Sequence, residues 1–228
     1  MFDTVKPTGK AWHSCLTLSS GAVRLLRMSP AAAPFDVREA LLAAARVQLV
    51  EHGRSAISLR AVARRAGVSH AAPKYHFGDR AGLLTAIATE GFQSLTRALE
   101  QITEPDPRHQ LAALGDSYIN FGLAHPALFE LMFQPNELQT ANADLIRAQG
   151  EAIEALSVAV GQPAIGEGTS PGTPPLALIS WAFVHGLTIL GRDGALSNAA
   201  GTGSGAAADV ARTLVDLFAE RMAPPRLG

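Results

Sequence analysis

Residues 58–77 read SLRAVARRAGVSHAAPKYHF, and this stretch predicts two short helices that meet at Gly67. Ser58 is placed to cap the first helix, and Gly67 is placed to end it. Ser69 begins the second helical segment, and Ala63 is small enough to let the two helices cross closely. Such a pair is a helix-turn-helix, whose second helix enters the major groove of DNA. The expected inward positions are Leu59, Val62, Val68 and Phe77.

Basic residues are concentrated in the same part of the chain. The 228 residues have a formal net charge of −1, yet residues 1–35 and 36–100 each carry +3, whereas residues 101–228 carry −7. Residues 53–80 alone carry +5. Because phosphate neutralisation supplies most of the non-specific affinity for DNA, this distribution favours a nucleic-acid partner. The alternative is an ordinary helical pair with a solvated basic face.

The spacing of the stretch resembles the N-terminal module of TetR-type transcriptional regulators, which reads roughly [ST]-x-x-x-[IV]-A-x-x-A-G-V-S-x-x-x-x-Y-x-[HY]-F-x-x-[KR]-x-x-L. The C-terminal part resembles one type of regulatory domain of the same family. The resemblance rests on HPALFELMF at residues 125–133 and on the Trp-x-x-x-His-Gly pattern at residues 181–186. The N-terminal positions that match in register are Ser58, Val62, Ala63, Ala66, Gly67, Val68, Ser69, His76, Phe77, Arg80 and Leu83.

The resemblance implies an all-α protein of two parts. Residues 35–80 would form a three-helix helix-turn-helix DNA-binding domain, and residues 81–228 a larger helical domain for ligand binding and dimerisation. Residues 1–34 show no periodicity, so we expect a disordered leader, of which residues 1–27 are untranslated if Met28 is the true start. Two Gly-rich loops are expected at residues 161–175 and 191–205.

The resemblance also implies roles on DNA. Ser58, Arg60 and Arg80 would hold phosphates, which position the module without reading sequence. The two alanines of the recognition surface can contact thymine methyl groups, and its lysine can bond guanine. That surface is expected to comprise Ser69, His70, Ala71, Ala72, Lys74, Tyr75 and His76.

The recognition helix departs from the family pattern at two positions. The usual tyrosine is replaced by Lys74, and Tyr75 follows one place later, about 100° around the helix. Lysine can still bind a phosphate as a point charge, but the register and sequence preference are then open. Pro73 is unfavourable inside a helix, so we expect a late or tightened first turn there.

The C-terminal part supplies candidates for a dimer interface and an effector pocket. The segment 176–190 is apolar on all sides, which predicts a helix buried on every side. With residues 206–222 it would form a four-helix dimer interface, as the resemblance implies, or else it completes a monomeric core. A small, largely apolar effector would contact Tyr118, Phe121, Phe129, Met132, Phe133, Trp181 and His185, and core packing is the alternative for each.

The expected function is that of a ligand-responsive transcriptional regulator. It would be a cytoplasmic repressor that binds a palindromic double-stranded DNA operator as a homodimer and is released by its effector. A DNA-binding architectural protein without an effector is the first alternative, and an all-α enzyme is the second. No catalytic, cofactor or metal-binding motif is present, and the single cysteine, Cys15, excludes both a disulfide framework and a cysteine-rich zinc site.

Overall fold

The computed structural model describes residues 36–159, 175–202 and 206–222. These residues form ten α-helices and contain no strand, which confirms the all-α prediction. Two 3₁₀ turns, Arg54–Ala56 and Pro135–Glu137, lie between helices. The helices are α1 (Val37–His52), α2 (Leu59–Ala66), α3 (Ala72–Phe77), α4 (Arg80–Glu100), α5 (Pro107–Ala124), α6 (Pro126–Met132), α7 (Ala143–Ala159), α8 (Pro175–Arg192), α9 (Ala195–Ala199) and α10 (Ala207–Met222).

The first four helices begin and end where short polar residues and glycine permit. The Asp36 carboxylate accepts hydrogen bonds from two backbone amides of α1, the Ser58 hydroxyl accepts from the amide of Ala61, and the Asp79 carboxylate accepts from that of Gly82. Gly67 ends α2 in the left-handed conformation, with φ of 67°, which a side chain would disfavour. The cap at Ser58 and the helix end at Gly67 are those expected from the sequence.

Helix α3 begins later than the serine that precedes it. Ser69 Oγ accepts a hydrogen bond from the amide of Ala71, and the helix proper starts at Ala72. Pro73 therefore lies in the first turn, where its missing N–H costs no helical hydrogen bond, and its ring is buried. The late first turn confirms how the proline was expected to be accommodated.

Helix α4 connects the helix-turn-helix to the rest of the chain. One continuous core runs from Leu41 in α1 to Val215 in α10. Helix α4 is the long central helix of this core and packs on α1, α3, α5, α6 and α7. Helix α5 packs on α8 and α10. The closest of these crossings uses Gly122, where an added Cβ would collide with the Thr188 side chain of α8.

Helix α8 is not buried on every side within one chain, so that expectation is wrong for the isolated protomer. Leu178, Ile179 and Leu190 are 43%, 51% and 45% exposed, because α5, α7, α9 and α10 all pack on α8 and still leave these side chains uncovered. By length and composition alone α8 is apolar enough to cross a membrane, and it is the one such helix in the described ranges. A core helix of a soluble protein meets the same criteria.

The expected loop at residues 191–205 contains a short helix. Helix α9 forms because Leu196 is buried against the core. Residues 203–205 of this loop, the loop at 161–174 and the leader at 1–34 lie outside the described residues.

Candidate nucleic-acid interface and effector pocket

The predicted recognition surface is mostly open to solvent. Tyr75 is 86% exposed, and Lys74 beside it is exposed as well. His76 is half-buried, with its ring edge-to-face against Tyr75 at 5.1 Å between centroids. Among the other predicted DNA contacts, Ala72 and Arg80 are half-buried, whereas Ser58, Arg60, Ser69, His70 and Ala71 are exposed.

The six cations of residues 53–80 fall into two groups. Three of them are paired with carboxylates of the same chain. Arg65 forms a two-bond pair with Glu51 at 2.6 and 2.9 Å, which lowers the pKa of that carboxyl. Arg54 lies 3.5 Å from Glu130 and 3.6 Å from Glu137. The remaining three, Arg60, Arg64 and Lys74, are exposed and have no ion pair within the described residues.

Arg80 uses its guanidinium inside the protein. Its Nε donates to the carbonyl of Ile57 at 3.0 Å, and one terminal nitrogen donates to the carbonyl of Arg54 at 2.8 Å. The other terminal nitrogen pairs with Glu137 at 2.7 Å. This side chain therefore holds the turn before α2 against the body, and the geometry does not favour the phosphate contact expected for it.

A second candidate site is a cavity of about 370 Å³ between α4, α5, α7 and α8. Tyr118, Phe133 and Trp181, three of the seven predicted effector contacts, line it. The others lie behind its wall or outside it. Phe129 and Met132 are fully buried core residues, and Phe121 packs against His125 at 5.2 Å between ring centroids.

His185 lies behind the cavity wall in a buried polar network. Tyr118 Oη accepts a hydrogen bond from Trp181 Nε1 at 3.1 Å and lies 2.9 Å from His185 Nδ1. Burial raises the pKa of Tyr118 and lowers the pKa of His185, so both are neutral at pH 7. We infer that the tyrosine hydroxyl donates to Nδ1, which leaves the imidazole proton on Nε2. The single hydroxyl thus satisfies both neighbours.

Two family models match the chain over these same regions. Residues 41–87 match the bacterial regulatory proteins of the tetR family, and residues 111–218 match the tetracyclin repressor-like C-terminal domain. The chain belongs to the TetR family. It is a transcription regulator with a helix-turn-helix DNA-binding domain, in a family of regulators rather than enzymes.

Solved structures similar to the chain share its fold. A protein of unknown function from Rhodococcus sp. RHA1 is 33% identical over 86% of this chain and all of its own, with a TM-score of 0.69. A TetR-family regulator from Streptomyces coelicolor is 20% identical, over 82% of this chain and 99% of its own, with a TM-score of 0.56.

The multidrug binding protein EbrR, complexed with imidazole, is 18% identical, over 84% of this chain and 92% of its own, with a TM-score of 0.55. Because EbrR and the Streptomyces regulator are only 18% and 20% identical to the chain, their similarity shows the fold alone. No curated protein matches the chain.

Sequence reasoning did not place α7 at the cavity, which this helix closes on one side. Helix α7 supplies Gln149, Gly150, Ala152, Ile153 and Leu156, and α4 supplies Phe92 and Leu95. No side chain of α7 is aromatic, so a search for aromatic stripes could not find it. A usable signal was the pair of small residues Ala148 and Ala152, four positions apart, which are buried in the core where α7 packs.

Proposed function

We propose that the chain is a ligand-responsive repressor that binds a palindromic operator as a homodimer and releases it when a small, largely apolar effector binds. The observation that carries the DNA part is the exposed group of Arg60, Arg64 and Lys74 on a helix-turn-helix of the TetR family. These cations have no carboxylate partner within the described residues, so phosphates can neutralise them without breaking an ion pair. As TetR-family regulators are soluble cytoplasmic proteins, we propose the cytoplasm as its location.

The DNA contacts divide into phosphate-binding and base-reading groups. Ser58, Arg60 and Arg64 lie along α2, and the two arginines share one face because they are four residues apart. They hold the backbone, while the exposed residues of α3 enter the major groove. Lys74 and Tyr75 are both exposed on α3, and His70 with Ala71 can read base edges. Arg80 acts instead as a positioning residue for the turn before α2.

The dimer interface is proposed on α8 and α10. Leu178, Ile179 and Leu190 of α8 are exposed, as is Leu217 of α10 at 54%. The two helices are fixed to each other by Phe183 and Phe218, whose rings stack at 4.4 Å and 13°. Exposed apolar side chains on two packed helices favour an interaction site there, and a two-fold dimer would place two recognition helices on a palindrome.

Coupling between the cavity and DNA runs through the end of α6. Phe133 lines the cavity directly after α6, and Glu137 lies in the following 3₁₀ turn. That carboxylate bridges Arg54 and Arg80, which flank the segment leading into the helix-turn-helix. An effector that moves Phe133 would thus change the support of α2. Its effect is bounded by its differential affinity for the two states, typically about 1–3 kcal/mol.

Sedimentation velocity tests the assembly and DNA binding together. The protein alone is expected to sediment as a dimer at micromolar concentration, and one dimer should bind a fluorescent 30-bp duplex of random sequence at low salt. Ile179→Glu, which places charge on the exposed face of α8, should give a folded monomer, whereas Ile146→Glu, at an equally exposed position of α7, should remain dimeric. The proposal would be contradicted if the wild-type protein sedimented as a monomer, or if it failed to bind the duplex.

A further inference from the structure

The effector cavity has no charged side chain among its described lining residues. Aromatic and aliphatic groups form its walls, with Phe92, Phe133 and Trp181 contributing rings from three different parts of the chain. A carboxylate or ammonium group inside such walls would lose its hydration without gaining a counter-ion, which costs several kcal/mol. The composition of the walls therefore selects against charged molecules.

The polar groups at the back of the cavity are already used. Tyr118 is 1% exposed, its oxygen accepts from Trp181, and it contacts His185 on its other side. Neither of the two nearby titratable groups, the phenol or the imidazole, carries a charge at pH 7. A charged effector would have to break this network, whereas a neutral ring can pack against it.

The mouth of the cavity offers the one polar side chain, among the described lining residues, that makes no hydrogen bond. Gln149 and Gly150 are exposed residues of α7 that line the cavity, so they lie where it opens to solvent. The Gln149 carboxamide makes no hydrogen bond within the described residues and can both donate and accept. With about 370 Å³, the cavity is at the small end of ligand sites, which suits one or two fused rings.

We propose that the effector is an uncharged molecule of one or two aromatic rings, packed against Phe92, Phe133 and Trp181, with a single hydrogen-bonding group directed at Gln149. The proposal rests on the proposed function in taking this cavity as the effector site. It goes further in excluding organic acids and organic cations as ligands of the cavity.

Three probes of equal ring size test the exclusion of charge. Calorimetric titration of the full chain at pH 7 with 2-naphthol, 2-naphthoate and 2-naphthylmethylammonium should show the neutral phenol binding at least tenfold more tightly than either ion. Equal or tighter binding of an ion would overturn the proposal. Failure of 2-naphthol to bind at 1 mM would overturn it too, because the cavity would then not accept a neutral two-ring molecule.

Gly150 allows the cavity to be blocked without disturbing the fold. A Cβ at this position meets no atom within 4 Å, so Gly150→Ala and Gly150→Phe should both fold and unfold at or above the wild-type temperature. The phenylalanine would occupy the mouth of the cavity and weaken the binding of 2-naphthol at least tenfold. The alanine should leave the affinity for 2-naphthol within twofold of that of the wild type. Equal affinity in both variants would place the ligand elsewhere.

Gln149→Leu tests the polar end of the site. It should reduce the preference for 2-naphthol over naphthalene to less than twofold, and an unchanged preference would contradict the role of the carboxamide. The proposed function is tested separately by duplex binding of each variant without ligand. If an ion binds best and still releases DNA, the proposed effector class is wrong but the proposed regulatory function is supported. If neither the wild-type protein nor any variant binds DNA, the proposed regulatory function is wrong.

Discussion

The DNA-binding helices and the effector cavity treat charge in opposite ways. Around the helix-turn-helix, cations are abundant at the surface, and three of the six are already neutralised by Glu51, Glu130 and Glu137 of the same chain. Around the cavity, no described lining side chain is charged, and the Tyr118 hydroxyl bonds to the neutral side chains of Trp181 and His185. A count of basic residues therefore overstates the surface available to phosphate, and the pairing pattern identifies which cations remain.

The largest expected effect separates free from paired cations. Arg64→Ala with Lys74→Ala should weaken duplex binding about a hundredfold at 100 mM salt, and Lys74→Ala alone at least tenfold. Each lost phosphate contact should also reduce the slope of log K against log salt by about 0.9. Fluorescence anisotropy across a salt series measures both quantities.

Arg65→Ala is the control for that series, since it removes the same charge from a paired site. It should change affinity less than threefold and leave the slope unchanged. If it weakens binding as much as Lys74→Ala, net charge rather than pairing decides the interface.

The next effect concerns the contact between the two regions. Arg80→Ala should lower the free energy of unfolding by about 2 kcal/mol, because two carbonyl bonds and the pair with Glu137 are lost together. Glu137→Gln keeps the carbonyl bonds and should cost less than half as much. Urea unfolding followed by circular dichroism gives both values. Equal stability of Arg80→Ala and wild type would show that this arginine is free to bind phosphate.

A smaller effect tests packing within the body. Gly122→Ala should destabilise the fold by about 1–2 kcal/mol, because its Cβ would meet Thr188 and Phe129. Gly150→Ala makes the same chemical change in open space on α7 and should be neutral or stabilising by up to about 1 kcal/mol. Matching thermal unfolding curves for the two variants would refute the close crossing of α5 and α8.

The smallest effect is the pH dependence of the neutral network. Because burial lowers the pKa of His185, the unfolded chain binds more protons just below pH 6.5, and stability falls as pH decreases through that value. His185→Gln should show a smaller loss of unfolding temperature between pH 7.5 and 5.5 than the wild type. The same loss in both proteins would mean that His185 is as easily protonated in the folded state as in the unfolded chain.

Most of the helix-turn-helix could be predicted because its signals are local. The caps at Asp36, Ser58 and Asp79 and the left-handed Gly67 each depend on residues only a few positions apart. The fate of Arg80 could not be predicted, because Glu137 lies 57 residues away and only the fold brings them together.

The cavity was harder to predict for a related reason. Tyr118, Phe133 and Trp181 are conspicuous by type, but Phe129 is equally aromatic and lies in the core. Which aromatic side chain faces the cavity depends on how α7 packs, and no local sequence pattern encodes this packing. The exposed face of α8 could not be predicted for a similar reason. An apolar helix that is covered by its own chain and one that is covered by a partner show the same sequence pattern.

Selection of bound duplexes from a random DNA pool tests the central claim most directly. The wild-type protein should enrich one palindromic sequence whose half-sites are about one helical turn apart, and the Arg64→Ala, Lys74→Ala double variant should enrich none under the same conditions. Recovery of no common sequence by the wild-type protein, or of the same sequence by the double variant, would contradict the account.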